Sequence, residues 1–255
     1  MRSRKRRRKS KSAAVYIPVG IILILALTVM GISVFLRVME IDVVGAATYT
    51  KEEIITASGI SRGEYIYFLD TDSAAKKIHA TMPYISEVSI EPAPPSGVRI
   101  TVSETSAIAV IKYPDGALII DSSGKVLARE DAAPGGLIEI RGLVPAEAET
   151  EVGTRMRAPE GGETQMKSLT DVLSAIEKSG LISDISYLDV ANIATISFGY
   201  DGRFTVVLGG SGNVSHKLSQ LPQFVEGVNE NHPPETIGEI NMSDPSGKWR
   251  FTPKS

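Results

Sequence analysis

Residues 15–36 read VYIPVGIILILALTVMGISVFL, with no charged side chain, and the chain beyond them changes to short alternating and helical patterns. At roughly 1.5 Å of rise per residue, a helix of that length covers about 30 Å of hydrocarbon, enough for one crossing of a bilayer. After it, Met39, Ile41 and Val43 share one face of residues 38–44 while Glu40 and Asp42 share the other, the period of a half-buried strand. Gly45 breaks that strand. Thr50 and Glu53 then have the spacing of a capping box, which predicts a short helix running to about Ser58 and ending at Gly59. Beyond residues 65–69, the stretch Asp70-Thr71-Asp72 supplies the N-cap for a second helix with Ala74, Ala75, Ile78 and Met82 on one side, and Pro83 ends it. Val88 and Ile90, then Val98, Ile100 and Val102, alternate with polar residues on either side of a proline-rich tip, which predicts a hairpin. The order is β-α-α-β-β, with two helices on one face of a three-stranded sheet.

From Thr105 onward strands dominate. Residues 107–113, 117–120 and 125–127 form a β meander turned by Pro114-Asp115-Gly116 and by Asp121 to Gly124, and residues 137–140 add a short strand. Residues 145–162 read as a long surface loop, and Met166, Leu169, Val172, Leu173 and Ile176 trace a helix that stops before Gly180. Ile196, Phe198 and Tyr200 alternate, as do Phe204, Val206 and Leu208, and Asp201-Gly202 between them suits a two-residue hairpin turn. Val214, Leu218, Leu221, Val225 and Val228 keep helical spacing, although Pro222 in their midst predicts a kink or a break, costing roughly 3 kcal/mol in a helix interior. Residues 237–242 and 248–252 complete the chain as short strands.

Charge places the apolar run in context. Arg2, Arg4, Lys5, Arg6, Arg7, Arg8, Lys9 and Lys11 precede it, and such a cluster stays on the cytosolic side beside anionic headgroups. A cleaved signal peptide is the competing reading, but the run is too long and its end lacks a small-residue cleavage site. Thirty acidic and 27 basic residues give a net charge of −3; without the eight basic residues of the tail it becomes −11. The remainder is acidic, which argues against nucleic acid as a partner. With no cysteine there are no disulfides, thiolate metal sites or cysteine nucleophiles.

Catalytic chemistry finds little support. His79, His216 and His232 lack metal-binding spacing, the glycine-rich residues 209–212 lack the lysine of a phosphate loop, and Glu147, Glu149 and Glu151 read as a solvated face. No cofactor or metal site is predicted. Trp249, the single tryptophan, is a core anchor or an interface contact.

The basic tail and apolar run, EIDVVGAATYTKEEIITASGISRGEYIYFLD, MPYISEVSIEPAPPSGVRITVSE running into AIAVI, and LIIDSSGKVL together resemble the FtsQ/DivIB family of bacterial cell-division proteins. The resemblance implies an α+β chain: a basic cytoplasmic tail (1–14), one transmembrane helix (15–36), a POTRA domain (37–104), and a mixed, mainly antiparallel β domain with flanking helices (105–255). It implies a non-enzymatic scaffold at the division septum, a single-pass protein with its N-terminus in the cytoplasm. The implied partners are FtsL and FtsB/DivIC-type proteins, through which it helps regulate septal peptidoglycan synthesis. In the family the last strand of the β domain offers an edge to which a partner adds a strand, so the resemblance points to Ile240, Met242, Ser243 and Asp244, with Trp249 nearby. The stretch departs from the family pattern in carrying Asp244 where a large residue is common, and Pro245 has no N–H to donate. Two alternatives stand beside this reading: that residues 237–242 are packed inside the domain, and that the chain is a membrane-tethered enzyme or wall-binding protein acting on peptidoglycan.

Overall fold

The computed structural model describes residues 13–143, 151–158, 160–244 and 246–254, and within these it leaves aside the side chains of 13–15, 17, 29, 30 and 32–35. The chain divides into two compact units, one of residues 1–78 with 87–103 and one of 79–86 with 104–255. The first begins with α1 (Ala13–Phe35), which has no acidic residue in its first turn and no basic residue in its last, and carries Pro18 within it. The described side chains of α1 run unbroken only over residues 18–28, and among the described residues no helix is long and apolar enough to cross a membrane.

A three-stranded sheet follows, built from β1 (Glu40–Val44), β2 (Ile85–Ala93) and β3 (Gly97–Glu104) in the order β1-β3-β2. β1 runs parallel to β3 and sets Val43 opposite Ile100. The helices α2 (Lys51–Ser58) and α3 (Thr71–Thr81) lie between β1 and β2 in sequence, so the β-α-α-β-β order is as the patterning predicts. Local chemistry fixes the helix ends. The Thr50 hydroxyl accepts from the Glu53 amide, the Glu53 carboxylate accepts from the Thr50 amide at 2.8 Å, and Gly59 closes α2 in the left-handed conformation. The Asp70 carboxylate accepts from the Ser73 amide at 3.0 Å and starts α3. Val43, Val98, Ile100 and Val102 from the strands and Ile54, Ala74, Ile78 and Met82 from the helical segments are buried. Met39 departs from the prediction: β1 starts one residue later, and Met39 is left exposed.

The second unit is one nine-stranded sheet in the order β12-β11-β10-β9-β8-β7-β4-β5-β6. Its strands are β4 (Ala109–Tyr113), β5 (Gly116–Ile120), β6 (Val126–Glu130), β7 (Ile138–Arg141), β8 (Ile185–Asp189), β9 (Ile196–Tyr200), β10 (Phe204–Gly209), β11 (Gly238–Asn241) and β12 (Arg250–Pro253). The β4-β5-β6 meander is antiparallel. Five of the eight neighbouring pairs are antiparallel; the three parallel ones are β4/β7, β7/β8 and β10/β11. Parallel neighbours need a crossover, and α4 (Glu163–Ser179) joins β7 to β8 while α5 (Val214–Asn231) joins β10 to β11. The two helices bury Leu169, Val172, Leu173, Ile176, Leu218, Leu221 and Val225 in the core of this unit.

Four local expectations are corrected. β8 has no predicted counterpart, because its buried residues Ile185 and Leu188 are three apart across a register shift and so break the period of two. Tyr200 pairs with Phe204, so the hairpin loop has three residues, with Asp201 and Gly202 both at positive φ. α5 continues through Pro222, which lies on its exposed side. Within the expected long loop, Met156 is buried and its amide donates to the Gly124 carbonyl at 2.9 Å, beside the start of β6.

Candidate partner-binding edge

β11 lies between two strands. It runs parallel to β10, with Ile240 opposite Val206, and antiparallel to β12, with Ile240 opposite Phe251. Ile240 and Met242 are fully buried, and the Met242 amide donates to the Val207 carbonyl at 2.8 Å. The edge expected at Ile240 and Met242 is therefore corrected, and the alternative of a packed strand over residues 237–242 is the one that fits: β11 is one strand in from the end of the sheet, and neither side chain is offered to solvent.

Ser243 and Asp244 build the turn that follows. The Asn241 side-chain carbonyl accepts from the Ser243 amide and hydroxyl at 3.0 and 2.6 Å, and the Asp244 carboxylate accepts from the Ser246 amide and hydroxyl at 2.8 and 2.7 Å. The Ser246 hydroxyl and then its amide hold the Asp244 carboxyl below its ordinary range. These side chains are committed to backbone geometry, an arrangement of Asx-turn type. Pro245 lies outside the described residues. Trp249, partly buried, sets its ring edge-on to Phe224 of α5 with centroids 5.9 Å apart.

Among the described residues β12 ends the sheet on this side, as β6, which is bonded at Val126 by Gly153 and Thr154, ends it on the other. The Lys254 amide donates to the Ile237 carbonyl at 3.0 Å, which fixes the alternation of this antiparallel ladder. Arg250 and Thr252 turn their backbone groups toward β11; Phe251 turns its N–H and C=O outward. Pro253 also falls in an outward position, where the β11 ladder requires no donor. The Phe251 ring meets Phe204 and His232 with centroids 5.8 and 5.0 Å away, which pins the strand from its inner side. Gly238 makes that packing possible, because a Cβ there would lie 2.4 Å from the Phe251 ring and 2.6 Å from the Thr252 carbonyl oxygen. Patterning singled out Trp249 here and missed Phe251. Its signal was a large apolar residue within the strand predicted over residues 248–252.

The remaining candidates are scattered. His216 is exposed, His79 is half-buried on α3, and His232 packs on Phe251. Gly209 holds positive φ against Ser243, as a turn between β10 and α5. Glu151 is exposed, whereas Glu147 and Glu149 lie outside the described residues. Among the described residues no group of three or more His, Asp or Glu side chains is arranged to hold a metal ion.

Comparison with known proteins adds identity to this geometry. Residues 36–105 match the family described as "POTRA domain, FtsQ-type". The chain is 26% identical over 149 residues to Cell division protein FtsQ of Corynebacterium glutamicum, covering 58% of this chain and 66% of that protein. It is 25% identical over 196 residues to Cell division protein FtsQ of Streptomyces bingchenggensis, covering 77% and 71%, and 24% identical over 187 residues to Cell division protein DivIB of Clostridium tetani, covering 73% and 68%. The chain thus carries an FtsQ-type POTRA domain and is similar to FtsQ and DivIB proteins well beyond it. The FtsQ-type POTRA match takes in the whole three-stranded sheet, and the longer alignments reach well beyond it. Those relatives are cell-division proteins by name.

Proposed function

We propose that this chain is a non-enzymatic, membrane-anchored scaffold of the division machinery whose β12 edge receives a strand from an FtsB/DivIC-type partner. With FtsL in the same assembly, it would help regulate septal peptidoglycan synthesis. Residues 37–104 serve as the POTRA domain and 105–255 as the partner-binding β domain. α1 crosses the membrane once, with the basic tail in the cytoplasm and both domains outside. The uncharged run and the basic cluster before it support that topology.

The observation that carries the partner reading is the terminal position of β12 with the Phe251 N–H and C=O turned outward. An added strand would draw its affinity from such backbone groups. Met242→Pro would be a poor probe, since that amide already bonds Val207 within the sheet. Phe251→Pro removes an outward donor and no backbone bond to β11, but also the ring that pins β12; Phe251→Ala loses the same ring and keeps the donor. Purified residues 38–255 carrying Phe251→Ala should pair with a partner ectodomain and those carrying Phe251→Pro should not, both remaining folded by circular dichroism. Equal pairing by both variants would remove the backbone-edge reading.

A further inference from the structure

The segment after α1 is laced to residues 63–66. The Val38 amide donates to the Glu64 carbonyl, the Gly63 amide to the Val38 carbonyl and the Ile66 amide to the Leu36 carbonyl, each at 2.8 Å. Arg37 adds side-chain bonds, to the Gly63 carbonyl at 2.7 Å and the Tyr65 hydroxyl at 3.2 Å, and its guanidinium lies 4.6 Å from the centre of the Tyr65 ring. Ile66 is buried and fixes the segment from within, while its neighbours on the 3₁₀ turn Ile66–Phe68 point out: Tyr67 is 68% and Phe68 87% exposed. Two large aromatic side chains are thus held in the open on a segment bonded to the residue where the apolar helix ends.

We infer that Tyr65, Tyr67, Phe68 and Arg37 form an interfacial anchor that seats in the boundary between headgroups and acyl chains. The inference rests on the reading that α1 spans the bilayer. Tyrosine favours that boundary because its ring is apolar and its hydroxyl polar, phenylalanine adds apolar area on the acyl side, and an arginine there buries its stem while its charge stays among phosphates. Leu36 is the residue from which both features start: going backward it enters α1, and across one hydrogen bond it reaches Ile66. Of the acidic groups flanking the turn, Glu64 accepts from the Ser61 amide at 3.1 Å and Asp70 from the Ser73 amide and hydroxyl at the start of α3.

The absence of native cysteine makes a direct test available. The full chain, in phosphatidylglycerol-containing bilayers, carries a nitroxide on a single introduced cysteine at Leu25→Cys, Tyr67→Cys, Phe68→Cys or Glu52→Cys, and collision rates with oxygen and with a water-soluble nickel complex are compared. The ratio of oxygen to nickel collisions should be highest at position 25, several-fold lower at 67 and 68, and several-fold lower again at 52. A buried label at 25 with 67 and 68 as aqueous as 52 overturns the anchor while leaving the span intact, and would assign the aromatics to a protein partner. An aqueous label at 25 removes the span and the anchor together.

Discussion

Glu139 in β7 binds two cations at once: its carboxylate accepts from Lys112 and, at 3.1 Å, from Arg141, whose guanidinium also lies 4.0 Å from the centre of the Tyr187 ring. Lys112 first and Arg141 second hold the Glu139 carboxyl below its ordinary range. A carboxyl whose folded value is depressed contributes stability that is complete above the unfolded value of about 4.3 and is lost as pH falls through the folded value. Glu139→Gln should therefore lower stability at pH 7 by about 0.5–1 kcal/mol, since the pair is partly exposed, and flatten the loss between pH 5 and the folded value. Urea titrations at pH 7 and pH 3.5 check this; equal pH dependence in both proteins would contradict it. Gly238 makes a steric claim of the same scale. Gly238→Ala must push against the Phe251 ring and the Thr252 carbonyl, so it should destabilise the second unit by about 1–3 kcal/mol and weaken partner pairing with it. Unchanged thermal stability would show that β12 moves aside at no cost.

At the scale of elements, what patterning reveals depends on whether the determinant is local. The capping box of Thr50 and Glu53, the stop at Gly59, the alternation of Ile196 to Leu208 and the helical spacing of α4 and α5 are each set by neighbours in the chain, and each is legible. β8 is not, because a register shift against β9 separates its two buried side chains by three residues. α5 continues through Pro222 despite the lost backbone donor, because the buried face of Leu218, Leu221 and Val225 holds the helix on the sheet. The assignment of the edge has a different origin. Residues 237–242 look like a strand and are one, but which strands flank it is decided by the α5 crossover to β10 and by the turn from Asn241 to Gly247. No periodicity within β11 carries that information, so Ile240 and Met242 read as edge residues although they sit in the core, and Phe251 escapes notice.

For the whole molecule, charge and topology point the same way. The basic residues are concentrated in the tail before the apolar run, and the rest of the chain carries −11, so the two sides of the proposed membrane differ sharply in electrostatic character. The nine-stranded sheet ends on one side at β12, the last described strand, whose Phe251 packs on Phe204 and His232 while the preceding Trp249 packs on Phe224, and whose Phe251 backbone faces outward. The proposed scaffold would work by lending this ordered edge to another chain, which separates the proposal from binding through side chains alone. The most direct measurement is residue-resolved amide exchange of residues 38–255 by nuclear magnetic resonance, with and without an FtsB/DivIC-type ectodomain. The Thr252 amide, which already faces β11, should be protected in both states; the Phe251 amide should exchange rapidly alone and become protected in the complex. A complex that forms while the Phe251 amide continues to exchange as it does in the free protein would contradict strand addition at β12.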